Sequence, residues 1–244
     1  MTVATVTTDI NIGPFKIPSN GQNMIMNNYA QRNVPVFGQL DFEYDSTDTN
    51  WTPIEEVLEN LNDLVRNGKI KHIGLSNETP WGVTKYLITA KKKKLPRAMS
   101  VQNGYSLVNR IFDIANSEVS IREKCGLLAH SPLAGGMLSG KYLYGKKPKN
   151  SRFTLWSKRF LRYNIKRKEI AIAKYVKVAK KCNISLSTLA YAFVASRPYV
   201  TSCIIGSTSL KQLKENINSI NVNLSNEIIN EIEEIHLSDP NPGY

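Results

Sequence analysis

The sequence predicts an α/β fold made of parallel βα repeats, and three observations carry that expectation. From residue 53 onward helical and strand patterns alternate, each strand-plus-helix pair has the length of a βα unit, and four apolar strands each leave through a cluster of polar residues. The carboxyl end of a parallel strand is where such folds hold ligands, so the polar exits are candidate sites as well as structural markers. Four strands are clear, and MIMNNY, residues 24 to 29, is a weaker fifth, against the eight that a closed barrel requires.

The first helix is PIEEVLENLNDLVRNGK, whose apolar residues at 54, 57, 58, 61, 64 and 65 form one stripe ending at Gly68. KIKHIGLS follows as a strand and exits through Ser76, Asn77, Glu78 and Thr79. Ser, Asn and Thr ahead of a helix commonly cap its free N–H groups, so this corner has a structural reading beside the functional one. Residues 82 to 94 form the next helix, closing in Lys91 to Lys94, cations that suit a helix C-terminus. After Pro96, AMSVQNGY is a strand with Gln102, Asn103 and Tyr105 at its end. IANSEVSIREKC is helical, and GLLAHSPLAGG is a third strand ending in His130, Ser131, Pro132 and a glycine pair. A long basic loop leads to helices over 168 to 181 and over SLSTLAYAFVASRP, which stops before Pro198. VTSCIIGSTS is the fourth strand, with Gly206, Ser207, Thr208 and Ser209 at its exit, and it feeds the helix LKQLKENINSI. The last helix, LSNEIINEIEEIHL, opens on Ser225 as N-cap, and its acidic residues predict a solvated outer face.

A content of 41% hydrophobic and 21% charged residues over 244 describes a soluble globular chain with one sizeable core. No apolar run reaches the length of a membrane span, and MTVATVTTDINIG lacks the basic start and apolar centre of a signal peptide. The expectation is a cytoplasmic protein with no membrane partner. Cys125, Cys182 and Cys203 are too few and too scattered for a disulfide framework or a zinc site, so no metal is expected and all three read as reduced core residues. The net charge of +12 is concentrated: Lys141 to Lys181 holds fifteen Lys or Arg against one acid, Glu169. Sparse aromatics and the lack of any nucleic-acid-binding motif argue against nucleic acid as its partner. The phosphates of a smaller ligand, or a solvated basic face, remain.

GKIKHIGLSNET, VQNGYSL, LLAHSPLAGGMLSGKY and IIGSTSLKQLKENI, in this order and spacing, closely resemble the second half of the aldo-keto reductases, NADP-dependent (β/α)8 barrels. The similarity is densest with the branch containing the potassium-channel β subunits and bacterial and plant reductases, and covers roughly residues 28 to 238. It implies a TIM-barrel type, here an incomplete barrel of four or five parallel strands, with residues 1–27 an N-terminal remnant and 28–244 the C-terminal, NADP(H)-binding part. Ser76, Asn77 and Gln102 match positions where family members hydrogen-bond the nicotinamide carboxamide, a planar amide that needs both donors and acceptors. His130 stands where the family usually has a Tyr stacked on the nicotinamide; outside that frame a satisfied core histidine is the better reading. Ser131, Leu133, Ser139 and Lys141 match the pyrophosphate clamp. Gly206, Ser207, Ser209, Gln212, Glu215 and Asn216 match the stretch that grips the adenosine and its 2′-phosphate. Helix capping also explains Ser207 to Ser209.

The front of the chain departs from the family. INIGPFKIP, residues 10 to 18, resembles the hairpin ahead of the first barrel strand, and nine residues later NNYAQRNVPVFG resembles the end of the fourth. Asn28 then stands at the position of the family's catalytic His. The Asp, Tyr and Lys that complete its proton-donating group have no counterpart, because residues 19 to 27 are far too few for βα units of about 30 residues. The resemblance therefore implies an NADP-dependent oxidoreductase acting on aldehydes or ketones, with catalysis impaired in this polypeptide; the alternative is a non-catalytic NADP-binding or protein-interaction module. NADPH and a small carbonyl compound are the implied ligands. Self-association, or a protein partner covering the open barrel edge, is expected from the missing strands. Phe37 and Trp51 are the apolar pocket candidates, with packing on the rim the stronger reading.

Overall fold

The computed structural model describes residues 2–4, 53–149, 151–155 and 166–242. The expectations placed on MIMNNY, Asn28, Phe37 and Trp51, and on the hairpin at 10 to 18, lie outside these residues. The described chain divides into two compact units, one of residues 1–103 and 115–127 and one of 104–114 and 128–244.

In the first unit, β1 (Thr2–Ala4) pairs antiparallel with β2 (Ile73–Ser76). Between them in sequence, α1 (Ile54–Arg66) buries Val57, Leu58 and Leu61, and carries Glu55 and Glu56 in its first turn and Arg66 in its last, matching its dipole. Its exit turns at Gly68, whose φ of 66° is the left-handed region that glycine enters without steric cost. β2 is buried along its whole length, as a strand of a parallel sheet should be. It is followed by α2 (Pro80–Lys93), which starts on a proline preset for the first turn and ends in Lys91 to Lys93. β3 (Ala98–Gly104) runs parallel to β2, with Leu75 beside Val101 and Ser76 beside Gln102. This register brings two of the polar exits together. α3 is shorter than the sequence pattern suggests, Asn116–Arg122, because Ala115 ahead of it sits at a φ of 62° and Lys124 behind it at 50°.

The carboxyl end of β4 (Gly126–His130) opens the main segment of the second unit, where β5 (Val200–Cys203) is its sheet neighbour and the Ile204 N–H donates to the Ala129 carbonyl at 2.9 Å. Between them lie α4 (Arg152–Leu155), α5 (Lys166–Lys181) and α6 (Leu186–Ala195); α7 (Leu210–Asn218) and α8 (Asn226–Ser238) close the chain. α6 is buried nearly all round, so its sequence is apolar rather than striped. The acids of α8 correct one expectation. Glu227 and Glu234 are exposed as expected, whereas Glu231 pairs with Lys181, Glu233 with the buried Arg110, and Asp239, just past the helix, with Arg167, so the acids are in part engaged by basic residues. Tyr105, read from sequence as a polar strand exit, is instead fully buried, stacked on Phe193 and edge-on to Tyr199. Of the cysteines, all free, only Cys125 is fully buried; Cys182 and Cys203 are half-exposed rather than core.

Strands β2 to β5 alternate with helices in the pattern of an incomplete (β/α)8 barrel, as the sequence predicts. No helix among the described residues is long and apolar enough to cross a membrane, and no described His, Cys, Asp and Glu side chains gather into a metal-binding group.

Candidate functional site

The exit of β2 answers its structural alternative directly. Thr79, not Ser76 or Asn77, is the N-cap of α2, its hydroxyl accepting from the Gly82 N–H at 3.1 Å. Ser76 and Asn77 are thus not the residues that cap this helix. Asn77 takes a φ of 54°, which asparagine tolerates better than most residues, and its N–H donates to the Gln102 carbonyl at 2.9 Å. Its exposed amide reaches back to the buried Ser76 hydroxyl at 3.4 Å. The next residue is clamped: the Glu78 N–H donates to Asn103 Oδ1 (3.2 Å), while Asn103 Nδ2 (3.0 Å) and Asn116 Nδ2 (3.3 Å) both donate to the Glu78 carbonyl. Two asparagines therefore fix the backbone that presents Asn77. The Glu78 carboxylate, itself buried, lies over the first turn of α2 so closely that a Cβ on Gly82 would overlap it. Asn116 and the role of Glu78 are not visible in the strand pattern; the available signal was a glycine in a helix's first turns, where it normally costs stability.

In the second unit the exit of β4 begins at His130. Its ring is half-buried, Nδ1 lies 3.0 Å from the Ser131 hydroxyl, and a Cβ on Gly104 would approach Cε1 to 3.3 Å, so the glycine leaves the space in which the imidazole lies. The histidine is therefore neither sequestered in the core nor free on the surface. Beyond it, Ser131, Ala134, Gly135, Gly136 and Gly140 all have positive φ. Successive turns close on the Leu133 carbonyl, which accepts from Gly136 (2.8 Å) and Leu138 (3.1 Å), and the Ser139 hydroxyl donates to the Gly136 carbonyl at 2.8 Å. Backbone that alternates between left- and right-handed turns makes concavities lined by N–H groups, which suit anions. Lys141 is exposed at its end, with Nζ 5.1 Å from the Tyr142 ring centre. A cavity of about 430 Å³ opens beside this loop, with Ser139, Lys141 and Lys180 among its polar lining and Leu143, Val176 and Leu186 among its apolar one.

At the exit of β5 much of the sequence-predicted set is engaged internally. Ser209 caps α7, accepting from the Gln212 N–H at 3.3 Å; Gln212 Oε1 accepts from the Thr208 N–H (2.9 Å) and hydroxyl (3.0 Å); Asn216 Nδ2 donates to the Ser207 hydroxyl at 3.0 Å. Glu215 accepts from Ser185 and, at 3.5 Å, from Thr188. Gly206 has open space where a side chain would stand, and Lys211 and Lys214 are exposed on the first turns of α7.

Residues 39–237 match the model of the aldo/keto reductase family. The chain belongs to that family. It is 42% identical over 211 residues to Protein tas of Escherichia coli, covering 85% of this chain and 60% of that protein. An aldo-keto reductase of Babesia bovis is 32% identical over 231 residues, 88% of this chain and 80% of the relative, and a probable voltage-gated potassium channel subunit beta of Oryza sativa is 30% identical over 199 residues, 78% and 59%. The chain thus spans about 60% of the length of the first of these relatives. All four polar exits fall inside the family match, whereas Asn28 lies outside it.

Within the family frame, Ser76, Asn77 and Gln102 come together in the first unit by strand register, and the other expected residues belong to the second. A network that the sequence did not reveal accompanies the latter. Arg110, buried, donates to Asp113 (2.7 Å) and Glu233 (2.8 Å) and lies over Phe193, while the Tyr199 hydroxyl bridges Tyr105 (2.7 Å) and Asp113. Burial alone would disfavour the guanidinium's charge; the two carboxylates more than offset it and hold its pKa above the ordinary value.

Proposed function

We propose that this chain binds NADP(H) in the manner of an aldo/keto reductase-type oxidoreductase and that the 244-residue polypeptide reduces carbonyl compounds far more slowly than an ordinary reductase. The observation that carries the binding half is the family match across all four polar strand exits. The local geometry supports it: Thr79 does the capping, and strand register sets Ser76 beside Gln102 with the exposed Asn77 next to them, amide and hydroxyl groups of the kind a carboxamide pairs with. His130 supplies a flat ring, the turns from Ser131 to Gly140 with Lys141 suit a pyrophosphate, and the helix start after Gly206 with Lys211 and Lys214 suits a further phosphate. Ser207, Ser209, Gln212 and Asn216 act in this reading by shaping that helix start, and Glu215 by fixing it to Ser185.

A bound nicotinamide supplies hydride to a carbonyl carbon. The polypeptide must then supply a proton to the resulting alkoxide, a contribution of about 10² to 10⁴ in rate when a positioned acid does it. Asn28, at the place of the family's His, has no titrating group, and the family's Tyr, Lys and Asp have no counterpart in the sequence. Tyr105 offers no rescue, because burial among Tyr199 and Asp113 pushes its phenol well above the ordinary range. The test is a fluorescence titration with NADPH and NADH at two salt concentrations, followed by NADPH oxidation with 4-nitrobenzaldehyde. Tighter NADPH binding that weakens with salt is the expected result. Equal affinity for the two cofactors removes the assignment of the phosphate site, and turnover at the rate of an ordinary reductase removes the catalytic half.

A further inference from the structure

A surface helix normally buries its apolar stripe and turns its polar residues to water. α7 is built the other way round. Leu210, Leu213 and Ile217, spaced to share one face, are 76%, 37% and 54% exposed, while the residue that α7 buries is Asn216. Ile220, just beyond, extends the stripe and is 71% exposed. The strand that leads into this helix is equally uncovered. Thr201 and Ser202 of β5 are exposed, and β4 is its one sheet neighbour among the described residues.

Sheet edges that stay in water are normally protected by lysine, proline or a bulge, since their unpaired N–H and C=O groups otherwise recruit another strand. Val200 to Ser209 has no charged residue and no proline, in a chain where 21% of residues are charged. An unprotected strand edge next to an outward apolar stripe is a surface awaiting a cover.

We propose that this face is the contact between two copies of the chain, β5 edge against β5 edge, with the two α7 stripes packed on each other about a two-fold axis. Such an edge is complementary to itself when run antiparallel, and so is a stripe of Leu and Ile, which is what an isologous contact requires. Charge points to the same occupant. Each copy carries +12, so two copies repel except through a nearly neutral face; from 200 to 220 the charged residues are Lys211, Lys214 and Glu215 alone. An acidic partner would be drawn instead to the basic stretch from 141 to 181.

The test is sedimentation equilibrium of the purified 244-residue chain, alone and as Leu210→Glu/Ile217→Glu, with Leu237→Glu on α8 as an exposed apolar control. Because all three positions are already exposed, far-UV circular dichroism should be unchanged in both variants. The wild type and Leu237→Glu should be dimers, and the double variant should dissociate about ten-thousandfold more readily, the loss expected for four buried aliphatic side chains, two from each copy. A wild type that is monomeric at all concentrations overturns the proposal. So does a dimer that survives the double substitution, or association that continues past the dimer. As a positional check, Ser202→Cys in a Cys203→Ser background should cross-link between copies with a short bis-maleimide, and failure of a confirmed dimer to do so also counts against this face.

Discussion

Replacing Arg110 by alanine should be among the most damaging single changes in the second unit. The guanidinium is buried and holds two carboxylates at once, Asp113 at 2.7 Å and Glu233 at 2.8 Å, while its flat face lies 5.2 Å from the Phe193 ring centre. Removing one partner of a buried ion pair costs about 3 to 5 kcal/mol, because the other charge is left without compensation. Here the lower end applies. Asp113 and Glu233 are 24% and 33% exposed, Glu233 keeps Arg197 at 3.8 Å, and Asp113 keeps the Tyr199 hydroxyl, so water and neighbours recover part of the loss. Lost contact with Phe193 adds about 1 kcal/mol, for an expected total of about 3 to 4 kcal/mol, a large share of the 5 to 15 kcal/mol by which domains are usually stable. Arg110→Lys keeps the charge but not the fork that serves two carboxylates, and should cost about half as much. Urea unfolding followed by circular dichroism measures both. A loss below about 1 kcal/mol for Arg110→Ala, or equal losses for Ala and Lys, would show that the side chain matters for its volume and not for the bridge.

Gly82→Ala tests the first corner with an inverted sign. Alanine normally improves a helix over glycine by about 1 kcal/mol, but here its Cβ overlaps the Glu78 carboxylate, so the variant should lose about 1 kcal/mol in thermal or urea unfolding; a gain would mean that Glu78 moves aside freely. His130→Tyr should tighten NADPH binding about fivefold, the equivalent of about 1 kcal/mol for the larger ring, as read by fluorescence titration; a lower Tm with unchanged affinity would assign His130 to structure instead. Burial pushes the Cys203 thiol up to about 12 from 9.0, so at pH 8 its thiolate is about a thousandfold scarcer than that of an ordinary cysteine. Mass spectrometry after iodoacetamide treatment should find it alkylated correspondingly slowly, and labelling as fast as a free thiol would show that its partial burial does not disfavour the thiolate.

The elements were legible because each has a local cause. Thr79 and Ser225 cap, Gly68 turns, Lys91 to Lys93 close a helix, and the period of the apolar residues distinguishes α1 from β2. These are interactions within a few residues of one another, and one strand of text contains them. Family membership was legible for a related reason: GLSNET, QNGYSL, HSPLAGG and IIGSTS are short segments whose order survives in the text. What the text did not contain are the pairings between distant positions. Nothing local says that Asn116 should hold the carbonyl of Glu78, that Arg110 should find Glu233, or that Tyr105 should turn inward onto Phe193. The same holds for Glu231 and Glu233 of α8, which look solvated in isolation and meet Lys181 and Arg110 once the chain is folded, and for the apolar stripe of α7, which is exposed. Helical periodicity says that a stripe exists; only the three-dimensional arrangement of the elements around it decides which side faces water, because burial is a property of what packs against a residue and not of the residue itself.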